Sequence, residues 1–249
     1  MSSASLRWPE RVAVGVPLGA CAAEWGEGPW GSVGLFAITV GLAAIPRGFG
    51  AIAIWVLVGF LSHPLAFANH HVVAGWLCLS LALADDDPGA RRSLYAAMMG
   101  MATLQKLLSP SFVSGAFVGW MGLTGEWLRP VWTLNPGWRE TVALNEARVA
   151  AAGLDPVVLV APPGTTAWAL GFAWTVLVVE GLLVALALRG HRAFLPLAAL
   201  FVGVLPLVRY EPVFAAVLAA LTALCAPRGR ARWALLVWGA GCAGLAAVR

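Results

Sequence analysis

One residue stands out for the chemistry that it could perform. Lys106 is the only lysine among sixteen lysine and arginine residues, and it lies inside the apolar run Ser93–Leu108. Desolvation favours the neutral form of a lysine amine, which can then accept a proton, whereas arginine stays protonated. Lys106 therefore indicates proton transfer. The alternative that the sequence leaves open is a lysine that snorkels to the membrane interface, because Lys106 is close to Pro110.

Other ionisable residues interrupt the apolar runs, where such side chains mark functional sites by default. They are Glu24, His70, His71, Glu180 and Glu211. The order of the runs predicts that all of these except Glu180 lie at the outer ends of their helices, on the same side as Lys106. Glu180 is expected nearer the cytoplasmic half, paired with Arg189, and its role is undetermined.

We assign candidate roles on that basis. His70 or His71 would hydrogen-bond Lys106 or relay its proton. Asn69 is either a hydrogen-bond partner or a helix N-cap, and Glu211 pairs either with Arg209 or with Lys106.

Residues at helical spacing from Lys106 define a possible contact surface for a cofactor. Spacings near 3.6 place one stripe on a single helix face. Tyr95, Met99 and Thr103 lie on this stripe, and they are expected to contact the cofactor together with Gln105 and Trp120, which lie off it.

Motifs for other chemistries are missing from the sequence. Cys21, Cys78, Cys225 and Cys242 form no CxxC pair and no His/Cys metal spacing, so we predict neither a disulfide nor a bound metal. The sequence also has no P-loop, nucleophile elbow, HExxH or dinucleotide-binding glycine motif. We interpret DDDPGARR, at residues 85–92, as a solvated turn.

The elements that would position these residues follow from composition. Hydrophobic residues make up 60% of the 249 residues, charged residues make up 11%, and the mean hydropathy is +0.82. Soluble domains are near 25% charged, so these values exclude a disordered protein, a soluble enzyme and a nucleic-acid-binding domain. We predict an all-α, polytopic integral membrane bundle whose partners are the lipid bilayer and, in one alternative, other membrane subunits, with no nucleic acid.

Nine apolar runs are long enough to suggest membrane spans, although seven or eight spans are also compatible with the sequence. The runs are Val12–Trp25, Gly31–Ile45, Phe49–Ser62, His70–Ala84, Ser93–Leu108, Thr165–Leu188, Ala193–Val208, Pro212–Ala226 and Arg232–Val248. With the N-terminus inside, most arginines fall in cytoplasmic loops, as the positive-inside rule requires. The predicted orientation is therefore N-in and C-out.

The long segment at residues 109–164 is expected to lie outside the membrane as a Trp-rich cap. Its first part reads as a re-entrant or interfacial helix, and ETVALNEARVAAAGL reads as an amphipathic helix. Residues 1–249 are predicted to form one transmembrane domain. A composition rich in Ala, Gly, Arg and Trp is typical of a bacterium with a high-GC genome, and this favours the bacterial plasma (inner) membrane.

Two stretches resemble a known family. Asn69-His70-His71 opens one span and QKLLSPSFVSG (residues 105–115) closes the next, which is similar to the HTTM family, the membrane domain shared with vitamin K-dependent gamma-glutamyl carboxylase and more distantly with DoxX-like proteins. RYEPVF (residues 209–214) is similar to the element that precedes a late helix of that family.

The resemblance implies a role for each matching residue. Lys106 would be the base that deprotonates a hydroquinone, His70 or His71 would support it, and Asn69 would hydrogen-bond. The chain has no room for the large lumenal domain of the carboxylase, and the spacing from His70 to Lys106 is shorter than in that enzyme. Carboxylation of a peptide is therefore not expected, whereas quinol chemistry in the outer leaflet is.

Three functional hypotheses remain at this stage. The first is a membrane protein that binds a quinone, a hydroquinone or a similar lipid-soluble cofactor, with Lys106 as proton acceptor; whether it is an enzyme stays open. The second is a non-catalytic structural or assembly subunit of a larger membrane complex, which the abundance of small residues also suits. The third and weakest is a small-solute transporter.

Overall fold

The protein is all-helical throughout the residues that its computed structural model describes. These are residues 6–25, 28–45, 47–62, 69–84, 87–125, 127–128, 136–153, 155–208 and 212–247. The longest non-helical stretch of this described part is an extended segment at residues 155–162. Alanine and leucine, which have high helix propensity, are abundant in the helices. The prediction of an all-α fold is confirmed.

Each of the nine predicted runs overlaps a described helix. The helices are α1 (Trp8–Ala23), α2 (Gly28–Ala44), α3 (Gly48–Ser62), α4 (Asn69–Ala84), α5 (Pro88–Leu107), α6 (Pro110–Val113), α7 (Ala116–Leu123), α8 (Pro136–Ala152), α9 (Thr165–Leu188), α10 (Phe194–Val208), α11 (Pro212–Cys225) and α12 (Arg230–Ala247). The segment expected to form the cap holds α6, α7 and α8, and α8 covers the predicted amphipathic helix.

One described helix, α9, is long and apolar enough to cross a membrane, judged by its length and composition. Shorter apolar stretches lie in α2, α3, α4, α10 and α11. A bundle of nine spans therefore stays a prediction.

The described residues form two compact units. Unit 1 is made from Met1–Met98, Leu186–Gly203 and Glu211–Arg249, and unit 2 from Met99–Ala185 and Val204–Tyr210. Both units draw on α5, α9 and α10. The expectation of one domain over the whole chain stays a prediction.

Helix α11 forms the centre of unit 1. Every one of its residues except Phe214 is buried, and a helix that is apolar on all sides is typical of such a position. Small residues let its neighbours approach closely. A Cβ atom placed on Gly15 of α1 would lie only 2.9 Å from the Ala43 Cβ of α2.

Arginines hold helix ends together in unit 1. Arg11 donates hydrogen bonds to the Ile45 and Ala43 carbonyls beyond and within the end of α2, at 2.8 and 3.4 Å. Arg91, which is fully buried, donates to the Ser80 carbonyl of α4 at 3.0 Å. A cation near the last carbonyls of a helix is stabilising. Several arginines that the sequence assigns to cytoplasmic loops therefore have structural partners.

Unit 2 is built around the N-terminal half of α9. Phe112 and Val118 pack with Ala169, Ala173 and Leu177 in one buried apolar cluster. Gly115, with φ of 77°, marks the turn between α6 and α7, and a Cβ atom there would lie 2.6 Å from the Leu170 amide nitrogen. Glycine is required at this position because the conformation is left-handed and the two backbones are in contact. The α6–α7 pair therefore lies directly against α9.

A buried asparagine fixes the connection that leads into α9. The Asn145 side chain of α8 donates to the Val160 carbonyl at 2.9 Å and to the Leu123 carbonyl at 3.2 Å, and it accepts from the Val160 amide at 2.8 Å. The amide thus ties the end of α7 and the extended segment to one point on α8. A buried polar group of this kind is stable only when it is hydrogen-bonded.

Candidate functional site

An ion pair between two helices of unit 2 is the candidate functional site. The Lys106 Nζ atom, in the last turn of α5, lies 2.6 Å from Oε1 and 2.7 Å from Oε2 of Glu180 in α9. The Glu180 side chain is only 6% exposed, whereas the Lys106 side chain is 21% exposed. Hydrogen bonds between ionised groups are shorter and stronger than neutral ones. The pair is therefore tight, and it is reachable on the lysine side.

The chain around Lys106 explains where this amine points. Pro110 has no amide hydrogen and ends the helical pattern, and the Lys106 carbonyl accepts instead from the Ser109 amide at 3.2 Å. The ammonium group lies 5.9 Å from the centre of the Phe112 ring, within the range of a cation–π contact. The end of α5 is also the favourable end of the helix dipole for a cation.

Thr103 is the third polar residue at this site. Its hydroxyl donates to the Met99 carbonyl one turn earlier, at 2.7 Å, and Oε2 of Glu180 lies 3.4 Å away. The hydroxyl has one hydrogen, so the shorter contact is the main bond and the contact with Glu180 is weak.

Glu180 lies well inside α9. At about 1.5 Å per residue, it is about 22 Å from the start of this helix and about 12 Å from its end. The sequence places Glu180 away from the other ionisable residues and beside Arg189. The structure instead gives Glu180 a direct contact with Lys106, across 74 residues of sequence.

A second pair, in unit 1, contains one of the predicted histidines. The Nε2 atom of His71 lies 3.4 Å from Oε2 of Glu24, and the Trp25 ring stacks on the imidazole with centroids 4.8 Å apart. The sequence places Glu24 and His71 at the same end of their helices, and the structure brings them together. His71 and Lys106 belong to different units, and each has its own carboxylate partner.

The remaining predicted residues have varied surroundings. Tyr95 is buried, with its ring edge-on to Phe194 at 5.0 Å, in unit 1. Met99 is buried and its carbonyl accepts from Thr103. Gln105 and Trp120 are exposed. The side chains of Asn69 and His70, and the whole of Glu211, lie outside the described residues.

The sequence contains a signal that could have identified Glu180 as the partner of Lys106. Glu180 is the only charged residue in the apolar run Thr165–Leu188, and Lys106 is the only one in the run Ser93–Leu108. Two opposite charges, each alone in a long apolar helix, are favourable together because ionisable groups in membranes pair with one another. Arg189, beyond the end of that run, is therefore a weaker candidate for the partner of Glu180.

Among the described residues, no group of three or more His, Cys, Asp or Glu side chains is placed to bind a metal ion. The four cysteines are free and buried. The predictions that the protein has no disulfide and binds no metal stay predictions.

No family model, curated protein or solved structure matches this chain. The resemblance to the HTTM family therefore stays a prediction.

Proposed function

We propose that the chain is an integral helical protein of the bacterial plasma membrane, with seven to nine spans, the N-terminus inside and the C-terminus outside. A stripe on α9 supports this proposal, since Leu170, Trp174, Val178 and Leu182 follow one another at intervals of four residues and all are exposed. Contiguous exposed apolar surface is unfavourable in water and favourable against lipid or another protein.

We further propose that the Lys106–Glu180 pair binds a lipid-soluble cofactor of the quinone or hydroquinone type. The observation that carries this proposal is an ion pair between two helices, α5 and α9, that leaves its lysine partly exposed. An apolar surface with a few polar groups is typical of a cofactor site. The ammonium can donate to a carbonyl oxygen and the carboxylate can accept from a hydroxyl, so the residues fit both forms of such a ring.

The ion pair favours a different proton acceptor from the one that the sequence predicts. The Lys106 Nζ atom donates to both Glu180 oxygens, so those oxygens are the acceptor atoms of the site. A bound hydroquinone would supply an acidic hydroxyl group. Glu180 would accept the proton at Oε1 or Oε2, and Lys106 would then keep an unpaired positive charge beside the deprotonated oxygen. Lys106 thus acts as the charge partner of the bound ring. Glu180, and not Lys106 as the sequence predicts, would be the proton acceptor.

The test measures the binding of a short-chain quinone to the purified protein through the quenching of tryptophan fluorescence. We expect Lys106→Met and Glu180→Gln each to weaken binding at least about tenfold, because each removes a charged hydrogen bond. The Glu140→Gln variant, on the exposed surface of α8, is the matched control and should bind as wild type does. Equal binding by all four proteins would contradict the proposal.

One observation favours the second candidate function, a non-catalytic subunit of a membrane complex. Lys106 and Glu180 satisfy one another, as expected of a pair that only joins two helices. Mild-detergent extraction distinguishes the two functions. A structural subunit would co-purify with the same partner chains in wild type and in Glu180→Gln, and it would bind no quinone in either form.

A further inference from the structure

The connection between α5 and α7 stays close to α9, as the re-entrant alternative for this part of the sequence predicts. Gly100 of α5 faces Val184 of α9, Lys106 meets Glu180, and Gly115 meets Leu170. The chain from α5 to α7 therefore runs antiparallel to α9 and stays beside it. Where α9 crosses the bilayer, α6 and α7 lie beside its outer half, at membrane depth.

The helical path from α5 to α7 is interrupted at residues 108–115, which we call the break. Helix α5 ends at Leu107, α6 contains only Pro110–Val113, and Gly115 turns the chain into α7. Backbone groups that leave the helical pattern are tolerated at membrane depth only where they are buried in protein or line a water-filled cavity. The break lies between the contacts of Lys106 and Gly115 with α9, well inside the length of that helix.

The side chains at the break are polar and reachable. Gln105, Ser111 and Ser114 are all exposed. The Ser111 hydroxyl lies 3.1 Å from that of Ser109, and the Ser114 hydroxyl donates to the Ser111 carbonyl at 3.3 Å. Exposed amide and hydroxyl groups lose favourable hydration when they face hydrocarbon. Three such side chains at or beside one interruption of the helix therefore favour contact with water over contact with lipid.

We infer that α5, α6 and α7 form one discontinuous membrane span, and that its serine-lined break is a water-accessible site that connects the Lys106–Glu180 pair to the outer side of the membrane. The break is the route by which a proton or a small polar solute reaches or leaves the pair. This inference rests on the proposed membrane placement of α9, and it does not depend on the identity of the cofactor.

Cysteine accessibility tests the inference in spheroplasts, which expose the outer face of the membrane. The probe is a methanethiosulfonate that carries a quaternary ammonium group, which reacts with the thiolate and does not cross lipid. Three single variants are compared. Ser111→Cys reports on the break, Glu140→Cys reports on the exposed surface of α8, and Thr175→Cys reports on the exposed face of α9 at a similar depth. Wild type gives the background, because its four cysteines are buried.

Thr175 is a matched control because it is exposed on an unbroken helix at a similar depth, and its hydroxyl donates to the Gly171 carbonyl at 2.8 Å, as that of Ser114 donates to the Ser111 carbonyl. We expect Ser111→Cys to react within about tenfold of Glu140→Cys, and Thr175→Cys to react at least about 100-fold more slowly, since a thiol in apolar surroundings forms little thiolate. Reaction of Ser111→Cys as slow as that of Thr175→Cys would overturn the inference. Fast reaction of Thr175→Cys would instead overturn the membrane placement of α9, and the proposed function with it.

Discussion

Two buried carboxylates, one in each unit, have basic partners in very different surroundings. In unit 1, Arg232 lies 3.3 Å from Glu10, and the two side chains are 1% and 4% exposed. Arg232 also donates to the Ala226 carbonyl from Nε at 3.1 Å and from another nitrogen at 2.6 Å. In unit 2, Lys106 is partly exposed, and the hydrogen bonds of its ammonium group within the described residues are with Glu180.

The difference distinguishes an ion pair that stabilises helix ends from an ion pair whose side chains are available to bind a ligand. Arg232 satisfies the carbonyl that follows α11, and Glu10 accepts from the Arg7 amide at 3.1 Å at the start of α1. The guanidinium suits this task because its donors form a rigid fork. Lys106 and Glu180 hold no backbone group in this way, so the unit 2 pair can exchange its partners without loss of a helix end.

The largest expected effect comes from breaking the unit 1 pair. Arg232→Met removes the nearest cation of the buried Glu10, which among the described residues keeps only Arg228, at 3.7 Å, and it also removes the two donors to the Ala226 carbonyl. We expect a loss of about 3–5 kcal/mol in the free energy of unfolding. Thermal unfolding in detergent, followed by tryptophan fluorescence, measures it. Lys106→Met is the matched comparison and should lower the melting temperature less, because it removes no donor to a helix-end carbonyl, whereas Arg232→Met removes two; an equal loss in the two variants would refute the contrast.

Replacing both members of a pair sharpens the comparison. Lys106→Met/Glu180→Leu removes both charges from unit 2, and exchange of a buried ion pair for apolar groups is often neutral or stabilising, by about 1–4 kcal/mol. We expect a melting temperature at or above that of wild type, together with loss of quinone binding. The corresponding Glu10→Leu/Arg232→Met variant should still be destabilised, because the Arg7 amide and the Ala226 carbonyl lose their partners. Destabilisation of the unit 2 double variant to the same extent would show that its pair is structural.

The sequence predicts the helices well and their contacts poorly. Long apolar runs and the residues that end them, such as Pro110 after Lys106, are local signals, so each of the nine runs overlaps a helix. The partner of Lys106 is not a local property. It depends on the antiparallel register of α5 and α9, which are joined through α6, α7, α8 and the extended segment. A single sequence contains no measure of that register.

The contacts of the arginines are also poorly predicted from the sequence. Counting charges near helix ends gives an orientation, but it does not distinguish a solvated arginine from a cap. Arg91 and Arg232 are both fully buried and bound to backbone carbonyls. The sequence alone therefore overestimates the share of arginines that meet water or lipid headgroups.

The smallest expected effect concerns the threonine beside the unit 2 pair. Thr103→Val removes the 2.7 Å bond to the Met99 carbonyl and the 3.4 Å contact with Glu180. Thr222→Val in α11 is a matched control, since the Thr222 hydroxyl makes the same type of bond to the Leu218 carbonyl at 2.8 Å and is buried in unit 1. The difference between the two variants isolates the contact with Glu180.

We expect quinone affinity to fall less than about threefold in Thr103→Val and to stay unchanged in Thr222→Val, because a hydrogen bond contributes about 0.5–1.5 kcal/mol net and a long one contributes less. A tenfold or larger loss in Thr103→Val alone would mean that the hydroxyl turns toward Glu180 when the cofactor binds. Thr103 would then be part of the binding site, and the unit 2 pair would resemble the unit 1 pair in depending on a third partner.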